Sequence, residues 1–280
     1  MTANQSAHSA PTIGVFDSGF GGLTVLRALI DRLPRARFAF LGDTARLPYG
    51  SKSRRTIARY AVQSAQFLVR EQGAEFLVIA CNTASALALD AIQEAVPVPV
   101  LGVIEPGAAA AHAASQTGDV LVIATEATVH SHAYAAACQA RGLRALEKAC
   151  PLLVPLVEEG WTDHPVTAEV IEIYLNELRA EAAAHQMDPD TLVLGCTHYP
   201  LLRRLFEGAV RPGAKVIDSA ESAAQAAVAM FNGRAAAGGV GAGETELHCF
   251  ATDSVEKFER LGSRFLGRPV GHVELIDLGG

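Results

Sequence analysis

The sequence predicts an α/β protein made of two doubly wound, parallel-sheet domains that are related by pseudo-two-fold symmetry, with the functional site in the cleft between them. Short apolar runs of strand length alternate with longer Ala- and Leu-rich helical segments. The alternation restarts after residues 105–107, so the chain divides into two similar halves. In each half one apolar run ends at a cysteine that polar residues follow, at Cys81 and at Cys196.

The first half shows the alternation that builds a parallel sheet. A glycine-rich turn over residues 19–22 leads into its first helical segment. Helices of this length between strands are typical of βαβ units. The predicted strands cover residues 12–16, 38–41, 76–80 and 98–103, and the predicted helices cover residues 23–33, 54–72 and 84–94.

The second half repeats the pattern and a C-terminal segment follows it. Helices are predicted over residues 108–114, 132–141, 167–185 and 201–209, and strands over residues 119–124, 191–194 and 215–217. The C-terminal segment contains a predicted helix from about residue 219 to 232, an Ala/Gly loop over 235–243, a strand over 246–251, a helix over 254–266 and a strand over 272–276. This segment is too short for a core of its own. We therefore expect one domain of residues 1–104 plus 218–280 and a second of residues 105–217.

Composition sets limits on the function. The chain has 280 residues, of which 50% are hydrophobic and 19% charged, as in an ordinary globular protein. A net charge of -7 with no basic stripe argues against nucleic acid as a partner. No uninterrupted apolar run reaches membrane-spanning length, and the first dozen residues lack the apolar core of a signal peptide, so we expect no membrane association and a cytoplasmic location.

Cysteine usage supports the same location. The five cysteines are odd in number and dispersed, and none forms a Cys-x-x-Cys pair. A disulfide framework, a zinc site and thiol redox chemistry are therefore disfavoured, and we expect free thiols in a reducing compartment. For Cys138, Cys150 and Cys249 the simplest interpretation is a small buried hydrophobic residue.

Cys81 and Cys196 fit a different role, because each is placed at the end of a predicted buried strand. In open α/β sheets the ligands bind at the carboxyl ends of such strands. A reaction that takes a proton from one face of a carbon and returns it to the other needs two acid/base groups. A thiol with an ordinary pKa of about 8.5 suits this task. We also expect the amides of the following helices to lower the pKa of each thiol.

Other polar residues lie next to the same strand ends. Asp17 and Ser18 close the first strand, and Asp17 either caps the following helix or binds a substrate ammonium and shuttles a proton. His198, two residues after Cys196, either polarises a reacting group or is structural. Glu158 and Glu159 are adjacent, so at most one of them faces a cleft.

Six sequence blocks closely resemble the glutamate racemases of the aspartate/glutamate racemase family. They follow the family order between about residues 13 and 221, and together they are highly specific. The blocks are GVFDSGFGGLTV from residue 14, GDTARLPYG from 42, ACNTA from 80, PLVEEG from 155, GCTHYPL from 195 and IDSA from 217.

The resemblance implies interconversion of L- and D-glutamate without a cofactor or a metal ion, supplying D-glutamate for bacterial peptidoglycan. It implies that Cys81 takes the α-proton from D-glutamate and Cys196 takes it from L-glutamate, with Asp17 and His198 assisting the thiols. Either Glu158 or Glu159 matches a family carboxylate near the second cysteine. The implied partner is a small-molecule amino acid, and members often form homodimers. The implied substrate-binding residues are Asp17, Ser18, Tyr49, Gly50, Asn82, Thr83, Thr197 and His198.

The sequence departs from the family pattern in one segment, and it is compatible with two alternative functions. Ala124 and Ala127 stand where members usually carry glycines beside the threonines at 125 and 128, so carboxylate binding there is expected to differ slightly. A racemase of the same family acting on aspartate would show the same blocks. A non-catalytic two-lobed binding protein would use the same cleft without exchanging the α-proton.

Overall fold

The computed structural model describes residues 11–231 and 245–279. The predictions for the N-terminal residues 1–10 and for the Ala/Gly loop at 235–243 fall outside these residues. All strand pairings in the described part are parallel. The strands are β1 (Thr12–Asp17), β2 (Arg37–Gly42), β3 (Phe76–Ile79), β4 (Val100–Gly102), β5 (Asp119–Ala124), β6 (Arg144–Ala149), β7 (Thr191–Gly195), β8 (Lys215–Asp218), β9 (Leu247–Ala251) and β10 (Val273–Leu275).

The helices connect consecutive strands and continue into the C-terminal segment. Short 3-10 turns lie at Thr44–Arg46, Tyr49–Ser51 and Tyr199–Leu202. The α-helices are α1 (Leu23–Arg32), α2 (Arg54–Arg70), α3 (Asn82–Leu87), α4 (Leu89–Ala95), α5 (Ile104–Ala114), α6 (Glu126–Ser131), α7 (Ala133–Gln139), α8 (Leu153–Glu158), α9 (Pro165–Ala184), α10 (Arg203–Ala209), α11 (Ser219–Phe231) and α12 (Val255–Leu266).

The strands form two sheets with the same internal order. Sheet A runs β10-β9-β2-β1-β3-β4 and sheet B runs β6-β5-β7-β8. The order β2-β1-β3-β4 in sheet A is therefore repeated as β6-β5-β7-β8 in sheet B. This confirms the predicted fold class of two parallel-sheet α/β domains. In each repeat the chain reverses its winding direction between the first and third strands, which is where open α/β sheets bind ligands.

This repeat gives the two cysteines equivalent positions. Cys81 follows β3 and Cys196 follows β7, so each follows the third strand of its repeat. Asp17 is the last residue of β1 and Ala124 is the last residue of β5, so Ser18 and Thr125 begin the corresponding loops. Each cysteine therefore lies beside the reversal point of its own sheet.

A shared apolar core joins the two sheets. Ile13 and Val15 of β1 pack in the same buried cluster as Ile123 of β5 and Leu194 of β7. Phe16, on the opposite face of β1, belongs to a separate cluster with residues of α2 and α3. The alternation is the one expected of a strand covered on both faces.

The C-terminal segment is part of sheet A and of the shared core. β9 pairs with β2 in parallel, and β10 pairs with β9. Phe258 and Phe265 of α12 are buried in the core between the sheets. The exact domain limits at 104/105 and 217/218 stay a prediction.

Several elements differ from the sequence prediction. β6 and α8 were not predicted, because β6 is a half-exposed edge strand with charged residues and therefore lacks a continuous apolar run. The predicted helix over 84–94 is two helices that meet at Ala88. The helix predicted over 132–141 is present as α7, which starts one residue later. The preceding helix α6 was not predicted, and His132, which has a left-handed backbone (φ 53°), separates the two.

Asp190 joins the starts of the two strands that flank the reversal point of sheet B. Its carboxylate accepts hydrogen bonds from the Ser115 hydroxyl (2.6 Å) and from the amides of Gln116 (2.6 Å) and Thr117 (3.0 Å). Burial alone would raise the pKa of Asp190, but these donors lower it to about 2. The charged carboxylate thus fixes the loop before β5 against the start of β7.

We predict that Asp190→Ala lowers the free energy of unfolding by about 2 kcal/mol at neutral pH, because it leaves several donors without their acceptor. Urea unfolding measures the loss. Since folding lowers the pKa of Asp190 below its ordinary value of 3.8, the wild-type advantage is present above that pH and is lost as the pH falls through about 2. The exposed Asp163→Ala variant is the charge-matched control. Equal unfolding free energies for the two variants would contradict this account.

Candidate active site

Asp17 lies at the carboxyl end of β1 with one oxygen unpaired. Its Oδ2 accepts a hydrogen bond from the Gly19 amide at 2.9 Å. Its Oδ1 is buried and has no hydrogen-bond partner in the described part of the chain. Burial raises the pKa of Asp17, while the Gly19 amide and His198 oppose the rise. Helix α1 has no side-chain cap, so the capping role considered for Asp17 is wrong. An unpaired buried carboxyl oxygen is instead typical of a group that binds a ligand or holds a proton.

Cys81 lies directly before α3 and is only 5% exposed. The Ala84 amide donates to its Sγ at 3.4 Å, and the thiol donates to the Ser18 hydroxyl oxygen at 3.4 Å. Burial and the neighbouring Asp17 raise the pKa of the Cys81 thiol to about 12, although Ser18 and the Ala84 amide act to lower it. The expected effect of the helix amide is therefore present but outweighed. With its pKa raised in this way, Cys81 is a neutral thiol at neutral pH and hence a proton donor.

Cys196 lies after β7 and has a different electrostatic neighbour. Its Sγ is 3.9 Å from Nδ1 of His198. On the other side of the ring, Nε2 of His198 is 3.4 Å from Oε1 of Glu158, a contact without hydrogen-bond alignment. Burial alone would lower the pKa of His198, but Cys196 and Glu158 raise it to about 10. The second thiol is therefore beside an imidazolium at neutral pH.

The structure distinguishes Glu158 from Glu159. Glu158 is the last residue of α8, is half-buried and contacts His198, whereas Glu159 is exposed. Burial acts to raise the pKa of Glu158, but His198 and Lys257 hold it below its ordinary value. Glu158 is thus an ionised carboxylate beside the imidazolium.

The glycine-rich turn after β1 packs against the segment that carries Cys196. The Thr24 hydroxyl lies 3.0 Å from both the Thr197 and the Gly21 carbonyl oxygens. A Cβ atom on Gly21 would lie 2.6 Å from Nδ1 of His198 and would also collide with the Thr197 hydroxyl. Gly21 is therefore required by the close approach of the two sheets' loops.

Asn82 and Thr83 also contact the other sheet. The Tyr134 hydroxyl donates to Oδ1 of Asn82 at 2.7 Å, and Nδ2 of Asn82 donates to the Ser219 hydroxyl at 3.3 Å. Oγ1 of Thr83 is 3.0 Å from Oγ1 of Thr125. These bonds tie the start of α3 to the loop after β5, to α7 and to α11.

Tyr49 and Gly50 lie on the sheet A side of the same junction. The Tyr49 hydroxyl donates to Oδ2 of Asp43 at 2.6 Å, and burial next to that carboxylate raises the pKa of Tyr49. A Cβ atom on Gly50 would lie 3.6 Å from Cβ of Thr125. The predicted site residues thus lie around one junction, and the side chains of Tyr49 and Asn82 bond to the protein itself.

Sequence reasoning missed several residues of this region. Thr24 was inside a recognised block but had no assigned role. Tyr134 gave no signal, because its contact with Asn82 spans 52 residues of sequence. Lys257 and Phe265, which contact Glu158 and His198, lie in the C-terminal segment outside every recognised block.

Within 11–231 and 245–279, no cluster of three or more His, Cys, Asp or Glu side chains is arranged to hold a metal ion. In that same part of the chain, no helix combines the length and the apolar character needed to cross a membrane.

The fold and site together define an α/β enzyme with a candidate acid/base thiol at the reversal point of each sheet. The chain belongs to the Asp/Glu/hydantoin racemase family, whose model matches residues 13–227. It is therefore an isomerase, an amino-acid racemase.

Relatives match nearly the whole chain. A glutamate racemase from Koribacter versatilis is 53% identical, covering 96% of this chain and 98% of the relative. The crystal structure of glutamate racemase isoform RacE1 from Bacillus anthracis is 36% identical with a TM-score of 0.85, covering 97% of this chain and 99% of that one. A Francisella tularensis glutamate racemase solved in complex with D-glutamate is 34% identical with a TM-score of 0.84, covering 96% of this chain and 98% of that one.

We predict that Gly21→Ala displaces His198 from Cys196, because the added Cβ occupies the space of the ring and of the Thr197 hydroxyl. Racemase activity should fall at least about tenfold, as expected when a catalytic geometry shifts by an ångström. Gly208→Ala on α10 is the matched control, since its Cβ would meet no atom within 4 Å. Equal activity of the two variants would contradict the packing argument.

His198 provides a pH-dependent prediction. Its pKa in the folded state, about 10, lies above the ordinary value of 6.5, so its charge stabilises the fold fully below that ordinary value and the contribution is lost as the pH rises through about 10. The unfolding free energy of wild type minus that of His198→Gln should therefore be larger at about pH 6 than at about pH 10. Urea unfolding measures it, with the exposed His112→Gln variant as control. A difference that grows towards high pH would refute the assignment.

Proposed function

We propose that this protein interconverts L- and D-glutamate by a two-base mechanism in which Cys81 and Cys196 act on opposite faces of the α-carbon. The observation that carries the proposal is the equivalent placement of two buried thiols, each after the third strand of one of two sheets with the same strand order. The choice of glutamate is supported by the names of the relatives and by the solved complex of one of them with D-glutamate.

In the proposed reaction one thiolate removes the α-proton, and the opposite thiol donates its own proton to the other face. The C–H bond on one face breaks and a new C–H bond forms on the other, so each turnover leaves the two cysteines with exchanged protonation states. Cys196 acts on L-glutamate and Cys81 on D-glutamate. Exclusion of water and donors directed at the substrate carboxylate stabilise the carbanion-like transition state.

The two thiols receive different assistance. Cys81 is a neutral thiol at neutral pH, which suits it to donate a proton when L-glutamate is converted to D-glutamate. Asp17, with its raised pKa and unpaired Oδ1, can take up the proton that Cys81 must lose before it acts on D-glutamate. His198 performs the corresponding role for Cys196, because its Nδ1 lies 3.9 Å from that Sγ.

Substrate binding is proposed for the residues at the junction of the two sheets. Backbone amides and hydroxyls of Ser18, Gly50, Thr83 and Thr197 would bind the two carboxylates, and Asp17 would also contact the ammonium group. Tyr49, Asn82 and His198 complete the proposed set. Thr83 hydrogen-bonds to Thr125, which follows Ala124. Because the family usually has glycine at the position of Ala124, we expect carboxylate binding by this pair of threonines to differ slightly.

The proposal extends to the biological setting. D-glutamate made by this reaction would supply peptidoglycan synthesis, and hence cell-wall biogenesis and cell shape. All five cysteines are free thiols, which is consistent with work in the reducing cytoplasm. We propose that residues 1–104 plus 218–280 form the domain that contributes Cys81, and that residues 105–217 form the domain that contributes Cys196.

Alanine substitution of either thiol tests the two-base mechanism. We predict that Cys81→Ala and Cys196→Ala each abolish racemisation, because one face of the α-carbon then has no proton carrier. In deuterated water, Cys81→Ala should exchange the α-proton of L-glutamate only, and Cys196→Ala that of D-glutamate only. Proton NMR of each enantiomer follows the exchange.

The control is Cys138→Ala, which removes a buried thiol that packs between α5 and α7, away from the site. It should keep wild-type racemisation. Full racemisation by either single site variant would rule out two bases. If the wild type racemises aspartate but not glutamate, the assignment of glutamate as the substrate is refuted. If it binds glutamate without exchanging the α-proton, it is a binding protein.

A further inference from the structure

Lys257 of α12 reaches the site from the C-terminal segment, beyond the residues that the family model matches. Its Nζ is 3.4 Å from Oε2 of Glu158, whose other oxygen, Oε1, is 3.4 Å from Nε2 of His198. Glu158 therefore lies between two cations, one from a helix that packs on sheet A and one from the loop after β7. Three alternating charges lead from Lys257 to the thiol of Cys196.

The same face of α12 also supports the ring of His198. Phe265 meets His198 edge-on with ring centroids 5.0 Å apart, and Phe265 and Phe20 are 5.6 Å apart. Lys257 Nζ is 5.6 Å from the centre of the Phe20 ring. Residues 257, 261 and 265 are spaced by one helical turn each, so they lie on one face of the helix. Lys257 at one end of this face contacts the Glu158 carboxylate, and Phe265 at the other end contacts the His198 ring.

We propose that Lys257 is a positioning residue for the racemase reaction, which holds the Glu158 carboxylate in place against His198 beside Cys196. The inference rests on the proposed function for its catalytic meaning and extends the functional apparatus to a residue on α12. Its physical basis is that the half-buried Glu158 carboxylate loses its fixed orientation when one of its two flanking cations is removed. A carboxylate that moves away from His198 stabilises the imidazolium less, which lowers the pKa of His198.

The other charged groups around His198 and Glu158 do not replace Lys257. Asp17, at the end of β1, also acts electrostatically on His198, and Cys196 contacts it directly. Arg264 of α12 lies next to Gly160, which follows the end of α8. A Cβ atom on Gly160 would lie 2.7 Å from the Arg264 guanidinium. The contact of α12 with the Glu158 carboxylate is made by Lys257.

The test is an NMR titration of the His198 imidazole in the full-length protein. Its signal is assigned by its loss in His198→Gln. Lys257→Met should lower the pKa of His198 by about half a unit or more, and Lys257→Arg should restore it. Lys215→Met, which removes an equal charge from an exposed position on β8, should leave it unchanged. Lys257→Gln is a second neutral variant should the methionine variant fail to fold.

A double variant separates action through Glu158 from a general effect of charge. In a Glu158→Gln background, Lys257→Met should no longer lower the pKa of His198, because only the repulsion between the two cations is then removed. The kcat/KM profile against pH should narrow in Lys257→Met, with its basic limb moved to lower pH, while Lys257→Arg keeps the wild-type profile.

The outcomes distinguish this inference from the proposed function. An unchanged His198 pKa in the neutral Lys257 variants overturns the inference, as does an equal shift in Lys215→Met. Absence of glutamate racemisation by the wild type refutes the proposed function alone, because the titration reports on His198 without turnover.

Discussion

The structure depends on hydrogen bonds between buried polar groups of the two sheets' loops and helices. The Thr24 hydroxyl lies against the Thr197 carbonyl, Tyr134 donates to Asn82, and Thr83 meets Thr125. A buried polar group without a partner costs about 1–3 kcal/mol, so a rearrangement of the sheets would break several of these bonds at once. Because the same segments carry Cys81 and Cys196, satisfying these groups also fixes the two thiols relative to each other.

Electrostatics makes the two otherwise equivalent thiols different. Cys81 has a buried carboxyl, Asp17, as its neighbour, whereas Cys196 has the imidazolium of His198, which Glu158 in turn supports. Coulombic attraction between Asp17 and His198 links the two halves. A reaction that needs one protonated and one deprotonated base at the start benefits from two bases whose charged neighbours differ.

The sequence predicts the parts of this site that have local signals. Cys81 and Cys196 follow continuous apolar runs, because their strands are central and buried on both faces. The edge strand β6 has no such run and was missed, and α8 after it was missed as well. The choice between Glu158 and Glu159 depends on where α8 ends relative to His198. The roles of Tyr134 and Lys257 depend on contacts with residues distant in sequence, which no local pattern encodes.

The central claim is that the two sulfur atoms act on opposite faces of one α-carbon. A crystal structure of this protein with D-glutamate bound tests it most directly. We expect Sγ of Cys81 and Sγ of Cys196 to flank Cα on opposite sides, with Asp17 next to the first and His198 next to the second. A substrate with both sulfurs on the same face, or with only one cysteine in contact with Cα, would contradict it.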